Sequence, residues 1–117
     1  MSYLFEKLPD SDVLTLSLKG PVDREQLRDA RLEMRRIIHE GGVKCTLIDM
    51  RSVDWDLLTI DLFKFGTTIE APKDMRTAIV CRKDDADARF LCDVVRNRGW
   101  WLKVFTDYTD AVEALKL

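Results

Sequence analysis

Apolar residues recur with two different periods along the chain, and the period predicts the type of each element. Val13 to Lys19 alternates strictly, with Leu14, Leu16 and Leu18 on one side. This alternation predicts a strand with one covered face. Tyr3 to Leu8 predicts a strand before it, and we expect the two strands to form an antiparallel hairpin.

The run from Cys45 to Ile48 is apolar without interruption and stops at Asp49. Such a run, ended by turn-forming residues, is typical of a strand covered on both faces, as the central strands of parallel sheets are. Arg76 to Cys81 and Trp101 to Phe105 predict two further strands. Ligands of such sheets gather where strands end and helices begin, so we expect function around Asp49 to Asp56.

Helical periodicity separates these strands. The first helix is predicted to begin at Asp23, where Gln26 completes a capping box, and to end at Gly41-Gly42. Later helix starts or stops are expected at Asp84 or Asp85, Gly99 and Asp107. The predicted order is β-β-α-β-α-β-α-β-α, in one domain over residues 1–117. This is an α/β fold with a mixed, mostly parallel central sheet flanked by helices.

The segment from Asp54 to Ile69 is predicted to form a helix, with Asp54 or Asp56 as its cap. Its apolar residues extend over more than one side of the cylinder: Trp55, Leu57, Leu58, Ile60, Leu62, Phe63, Phe65 and Ile69. A helix of this kind packs between the sheet and a neighbouring helix, or it borders a dimer surface or an apolar ligand pocket.

The composition and charge of the chain argue against several classes of function. The net charge is -2, which gives no general attraction to nucleic acid or to anionic membranes. No apolar run approaches the roughly 18 residues that span a bilayer. The N-terminal residues have neither the basic nor the apolar region of a signal peptide. We therefore expect a cytoplasmic protein that neither binds nucleic acid nor spans a membrane.

The sequence offers little to a metal or a cofactor. Cys45, Cys81 and Cys92 lack the spacing of metal ligands and fall in apolar patterns, which predicts buried, reduced thiols. The single histidine, His39, lies near the end of a charged helix, where a cation complements the helix dipole. We predict no metal and no cofactor.

Three loops at the carboxyl ends of the parallel strands are expected to lie close together. They carry Asp49, Arg51, Arg82, Lys83, Asp84, Asp85 and Asp107. These groups suit a polar docking or small-anion site, or an enzyme using Asp49, Arg82 and Asp84. Helix capping by itself accounts for Asp84, Asp85 and Asp107. Because the chain has neither a phosphate-binding glycine loop nor a G-x-S-x-G motif, we predict that it is not an enzyme.

The stretches LIDMRSVDWD and RNRGWWLKVFTD, with this element order, resemble the SpoIIAA-like family of the STAS superfamily. That family is related to anti-sigma-factor antagonists, and the resemblance covers Tyr3 to Leu117. It implies a bacterial, non-enzymatic regulatory domain that works as a homodimer or with a protein partner. In antagonists, a serine in a D-S-S-G-like motif at the start of the helix after the third strand is phosphorylated. Asp54 to Thr59 contains no serine and no glycine, so this switch is not transferred.

SpoIIAA-like proteins are also similar in architecture to CRAL-TRIO lipid-binding domains. This similarity implies an alternative function, the binding of a small apolar ligand or lipid by the same helix together with Trp100 and Trp101. The residues predicted to bind a partner or ligand are Asp49, Arg51, Asp54, Trp55, Leu58, Thr59, Leu62, Phe63 and Arg82. An interface requires an exposed apolar patch on the helix. A ligand binder requires an enclosed cavity lined by Trp55, Leu58, Leu62 and Phe65.

Overall fold

The computed structural model describes residues 2–9, 11–67, 72 and 74–116. The strands are β1 (Ser2–Lys7), β2 (Val13–Val22), β3 (Cys45–Trp55), β4 (Arg76–Val80) and β5 (Leu102–Phe105). The helices are α1 (Arg24–His39), α2 (Thr59–Thr67), α3 (Ala86–Asn97) and α4 (Tyr108–Lys116). The element order matches the prediction and confirms the α/β fold.

All five strands belong to one sheet, in which they follow the order of the chain. The β1 strand runs antiparallel to β2, and every later neighbour is parallel to the strand before it. The predicted hairpin therefore forms one edge of a mostly parallel sheet, and β5 forms the other edge.

Helices cover the sheet on both faces. Side chains of α1 and α3, such as Leu27 and Leu91, belong to the larger core on one face. On the opposite face, Ala111 and Leu115 of α4 pack with Leu47 of β3 in a smaller core. The α2 helix contacts α3 and α1, so it lies on the side of the larger core.

The β3 strand extends well beyond the predicted end. The apolar run predicts a stop at Asp49, but the strand continues to Trp55 and stays paired with β2 there. Asp54 lies within this ladder, and the Asp56 N–H donates to a β2 carbonyl at 3.3 Å. The predicted cap at Asp54 or Asp56 is therefore wrong, because strand pairing holds these residues outside the helix. The helix begins at Thr59.

A bulge in β3 decides which way its last side chains point. Ser17 of β2 pairs with Asp49 of β3, and the next pair is Lys19 with Ser52. Between these pairs β2 advances by two residues and β3 by three, so β3 carries one extra residue. An extra residue reverses the alternation of side chains beyond it. Met50 and Val53 consequently lie in the same core although they are three positions apart.

The α2 helix ends at Thr67 among the described residues. The predicted helix members at positions 68 and 69 lie outside the described residues. In the part of the chain that the structure describes, no helix combines the length and apolar character needed to cross a membrane.

A glycine allows α2 and α3 to approach closely. A Cβ atom at Gly66 would lie 2.7 Å from Cγ1 of Val94 and 3.3 Å from Cδ1 of Leu91. The first distance is shorter than two carbon atoms allow, and the valine side chain is stiff about its χ1 torsion. Gly66 therefore fixes the separation of the two helices.

We expect Gly66→Ala to lower the free energy of unfolding by about 1–2 kcal/mol, because the added methyl overpacks the contact with Val94. In a Val94→Ala background the loss should be smaller, because Cγ1 is absent, although the Cβ of residue 94 would still lie 3.1 Å from the added methyl. Urea unfolding of the wild type, both single variants and the double variant measures this difference. Equal effects of Gly66→Ala in the two backgrounds would contradict the packing argument.

Candidate functional site

A buried carboxylate connects the end of β3 with the start of α3. Asp85 is 5% exposed and caps α3, with Oδ1 accepting from the Ala88 N–H at 3.0 Å. Its Oδ2 accepts from Nε1 of Trp55 at 3.0 Å and lies 3.8 Å from a guanidinium nitrogen of Arg82. Buried polar groups require such partners, so this cluster fixes the predicted site residues Trp55 and Arg82 in place.

Arg82 also fastens the loop after β4 to the bulged part of β3. Its guanidinium donates to the carbonyl of Val53 at 3.1 Å and to that of Arg51 at 3.4 Å. The Arg51 carbonyl lies within the bulge of β3, and the Val53 carbonyl lies just beyond it. Two of the three strand-end loops predicted to converge therefore do so through this arginine.

Asp49 and Arg51 form a two-pronged ion pair across the bulge. Nε and one terminal nitrogen of Arg51 donate to the two carboxylate oxygens of Asp49 at 3.0 and 2.8 Å, and the Arg51 N–H donates at 3.1 Å. The guanidinium carbon also lies 5.7 Å from the centre of the Tyr108 ring, at the start of α4. This contact brings the third loop to the same end of the sheet.

Three of the four aspartates predicted at the strand ends have a structural partner. Asp107 caps α4 by accepting from the Asp110 N–H at 3.1 Å, as Asp85 caps α3 and Asp49 binds Arg51. Among the described residues, no group of three or more His, Cys, Asp or Glu side chains is arranged to hold a metal ion. Asp49, Asp85 and Asp107 therefore serve as helix caps or as a partner of arginine.

The thiols are buried, as the sequence predicts. Cys45, Cys81 and Cys92 are free and buried. Burial raises the pKa of Cys92 to about 12, and burial also raises the pKa of Cys81. Since the thiolate is the reactive form, these groups act as small apolar side chains.

Three large apolar side chains around the start of α2 are open to solvent. Leu58 is 70% exposed, Ile60 53% and Phe63 48%. We call these three residues the α2 patch. Among the other predicted site residues, Thr59 and Asp54 are exposed, whereas Leu62 is fully buried and cannot meet a partner.

An apolar cavity exists, but at a different place from the predicted one. It has a volume of about 80 Å³ and lies between the sheet and α1 and α3. Phe65 and Trp100, both named for the ligand-binding alternative, line it, whereas Trp55, Leu58 and Leu62 do not.

Replacing Asp85 tests whether the buried cluster holds this region together. We expect Asp85→Ala to lower the free energy of unfolding by about 2–4 kcal/mol, because it removes a helix cap and leaves Nε1 of Trp55 without its acceptor. Asp107→Ala, which removes an exposed cap, is the matched control and should cost about 1 kcal/mol. Urea unfolding measures both. Equal losses would mean that Asp85 contributes nothing beyond capping.

The Asp49–Arg51 pair predicts a pH dependence of stability. Burial raises the pKa of Asp49, but the hydrogen bonds from Arg51 outweigh burial and hold the pKa below the usual value of 3.8. The pair should therefore contribute about 0.5–1 kcal/mol at neutral pH, and that contribution should be lost as the pH falls through the folded-state pKa.

Unfolding of wild type and Asp49→Asn measured between pH 7 and pH 2 checks this. The difference in free energy of unfolding between the two proteins should become smaller as the pH falls. Asp54→Asn, at an exposed aspartate on the same strand, is the control. A gap that stays constant with pH would contradict the assignment.

Comparison with known proteins places the fold. No family model matches the chain, and no curated protein matches it. An uncharacterised protein of the DUF3478 family from Shewanella loihica, described as having a SpoIIAA-like fold, is 21% identical, with a TM-score of 0.66 over 97% of this chain and 92% of its own. An anti-sigma factor antagonist from Mycobacterium paratuberculosis is 14% identical, with a TM-score of 0.70 over 99% and 94%.

The anti-sigma factor antagonist SpoIIAA in its unphosphorylated form is likewise similar. It is 14% identical, with a TM-score of 0.62 over 98% of both chains. Since these structures match almost the full length of both partners, the architecture predicted from the sequence is confirmed. This protein has the SpoIIAA-like fold.

Proposed function

We propose that this protein is a non-enzymatic regulatory domain that acts by protein contact, with the α2 patch as the contact surface. The observation that carries the proposal is the exposure of Leu58, Ile60 and Phe63 on one short stretch of chain. Ile60 and Phe63 are three positions apart, so they share one side of α2. Apolar side chains exposed together, rather than singly, mark interaction sites.

The comparisons support a protein as the partner. Two of the similar structures are anti-sigma factor antagonists, and an antagonist of another protein needs a protein partner. Aspartates that serve as helix caps or as partners of arginine are poorly placed for acid–base chemistry. A second copy of this chain and a different protein are the two candidate partners.

The scaffold holds the α2 patch rigidly. Leu62 anchors the middle of α2 in the protein interior, and Gly66 sets its distance from α3. Just before the helix, Trp55 is held by its hydrogen bond to Asp85. A preorganised surface loses less conformational entropy when a partner binds, which favours affinity.

Phosphorylation is not part of the proposal. A phosphorylated form of SpoIIAA from Bacillus has this fold as well. In the present chain, Thr59 is the exposed first residue of α2, and Asp54, Asp56 and Asp61 are close to it in the sequence. Like charges would oppose the addition of a phosphate at this position.

Phe63→Asp tests the patch. The variant should stay folded, because Phe63 is 48% exposed, and it should lose binding, because a charge in a buried apolar contact is costly. Leu32→Asp, at a leucine that is 45% exposed on α1, is the matched control.

Sedimentation velocity over a range of protein concentrations measures self-association, and affinity capture from the host measures binding to another protein. Wild type and Leu32→Asp should share a dimer or a captured partner that Phe63→Asp has lost. If all three proteins behave alike in both experiments, the α2 patch is not the contact surface.

A further inference from the structure

The β1 strand has one side of its backbone at the edge of the sheet. In the part of the chain that the structure describes, β2 is its one neighbour in the sheet. Five of the six residues of β1 are exposed, whereas the strand at the other edge, β5, has one exposed residue among four. An exposed edge strand offers a row of N–H and C=O groups with which another strand can pair.

The hydrogen bonds of β1 to β2 show which of its residues face outward. In an antiparallel pair, every second residue bonds the neighbouring strand, and the residues between direct their backbone groups the other way. The Leu8 N–H donates to the Val13 carbonyl at 3.0 Å, and the Glu6 carbonyl accepts from the Thr15 hydroxyl at 2.9 Å. Even-numbered residues therefore bond β2. The residues whose backbone groups point outward are Tyr3, Phe5 and Lys7.

The middle of β1 lacks the features that commonly protect an edge strand from pairing. Such features are a charge or a proline on the edge, or a bulge. The middle of β1 is Tyr3-Leu4-Phe5, and its register with β2 is continuous from Ser2 to Lys7. Leu4 is 57% exposed and Tyr3 38%. This part of the edge is therefore apolar and regular, which favours the addition of a strand.

We propose that two copies of the chain pair through β1, antiparallel about a two-fold axis at Phe5, so that one sheet continues from one copy into the other. In this register Phe5 lies opposite Phe5 of the second copy, and Tyr3 lies opposite Lys7. All three outward residues then exchange hydrogen bonds with outward residues of the second copy. A two-fold contact of this kind uses the same strand on both copies and is closed.

The side chains of β1 complement each other in this register. On the face where Phe5 packs against the larger core, the aliphatic stem of Lys7 lies opposite the Tyr3 ring, which contacts the Phe5 ring with centres 5.8 Å apart. On the other face, Leu4 lies opposite Glu6. A register centred on Glu6 or on Lys7 would oppose like charges, which is unfavourable. Because the strand complements itself, the occupant that we propose is a second copy of this chain.

Charge substitutions at Leu4 test both the pairing and its register. Leu4→Lys would face Glu6 of the second copy and should retain the dimer, whereas Leu4→Glu should weaken it. The contact occurs on both sides of the two-fold axis, so the two dissociation constants should differ by about tenfold. Adding Glu6→Lys to Leu4→Glu should restore the dimer, because opposite charges then face each other again. Sedimentation velocity over a range of protein concentrations measures the wild type and these variants.

Amide hydrogen exchange followed by NMR tests the same pairing without a substitution. The Phe5 N–H should exchange more slowly as the protein concentration rises, because the second copy accepts its hydrogen bond. The Leu4 and Glu6 N–H groups bond β2 in the monomer as well, so their exchange should depend much less on concentration. Exchange of the Phe5 N–H at one rate over all concentrations would overturn the proposal.

The outcomes separate this pairing from the proposal for the α2 patch. A dimer that Leu4→Glu weakens and Phe63→Asp retains supports pairing through β1 and leaves the α2 patch for a different protein. A wild type that stays monomeric into the millimolar range, or equal effects of Leu4→Lys and Leu4→Glu, would overturn the pairing. A dimer that Phe63→Asp loses and both Leu4 variants retain would also overturn it, and would favour the α2 patch as the contact between copies.

Discussion

The long parallel pairing of β2 with β3 is the constraint on which the rest of the structure depends. Because this ladder continues to Trp55, the chain cannot enter α2 directly after the apolar core of β3. The bulge within the ladder reverses the alternation of side chains, and Trp55 packs against the larger core as a result. There its indole reaches the carboxylate that caps α3. One extra residue in a strand thus links the sheet to α3.

Charged residues stabilise this arrangement, and apolar residues provide its open surfaces. Arg82 spans from the loop after β4 to two carbonyls of β3, and Arg51 holds Asp49 in a two-pronged pair. Such contacts satisfy groups at strand ends that would otherwise be partly buried without partners. The start of α2 leaves large apolar side chains open to solvent.

The sequence predicted the element order and most of the helix caps, because these depend on local signals. The capping box at Asp23 and Gln26 and the antiparallel hairpin were correctly predicted, and of the two candidates Asp84 and Asp85 the second caps α3. The end of β3 was predicted wrongly. Asp49, Ser52 and Asp54 have the local character of turn residues, and only the pairing with β2 keeps them in a strand. The cavity escaped prediction for the same reason, since its walls come from separate elements. The α2 patch could be predicted only as one of several alternatives, because periodicity does not tell which apolar side of a helix finds a neighbour.

Phe63 and Phe65 lie two positions apart on α2, one facing solvent and the other facing the cavity. A molecule that displaces the inner ring therefore acts on the same short helix that presents the outer one. Thermodynamic linkage makes such an effect reciprocal: the factor by which an occupant of the interior changes the affinity of the surface is the factor by which the surface partner changes the affinity of the interior. Because Gly66 sets the distance between this nine-residue helix and α3, a shift of the helix would move the inner and the outer ring together.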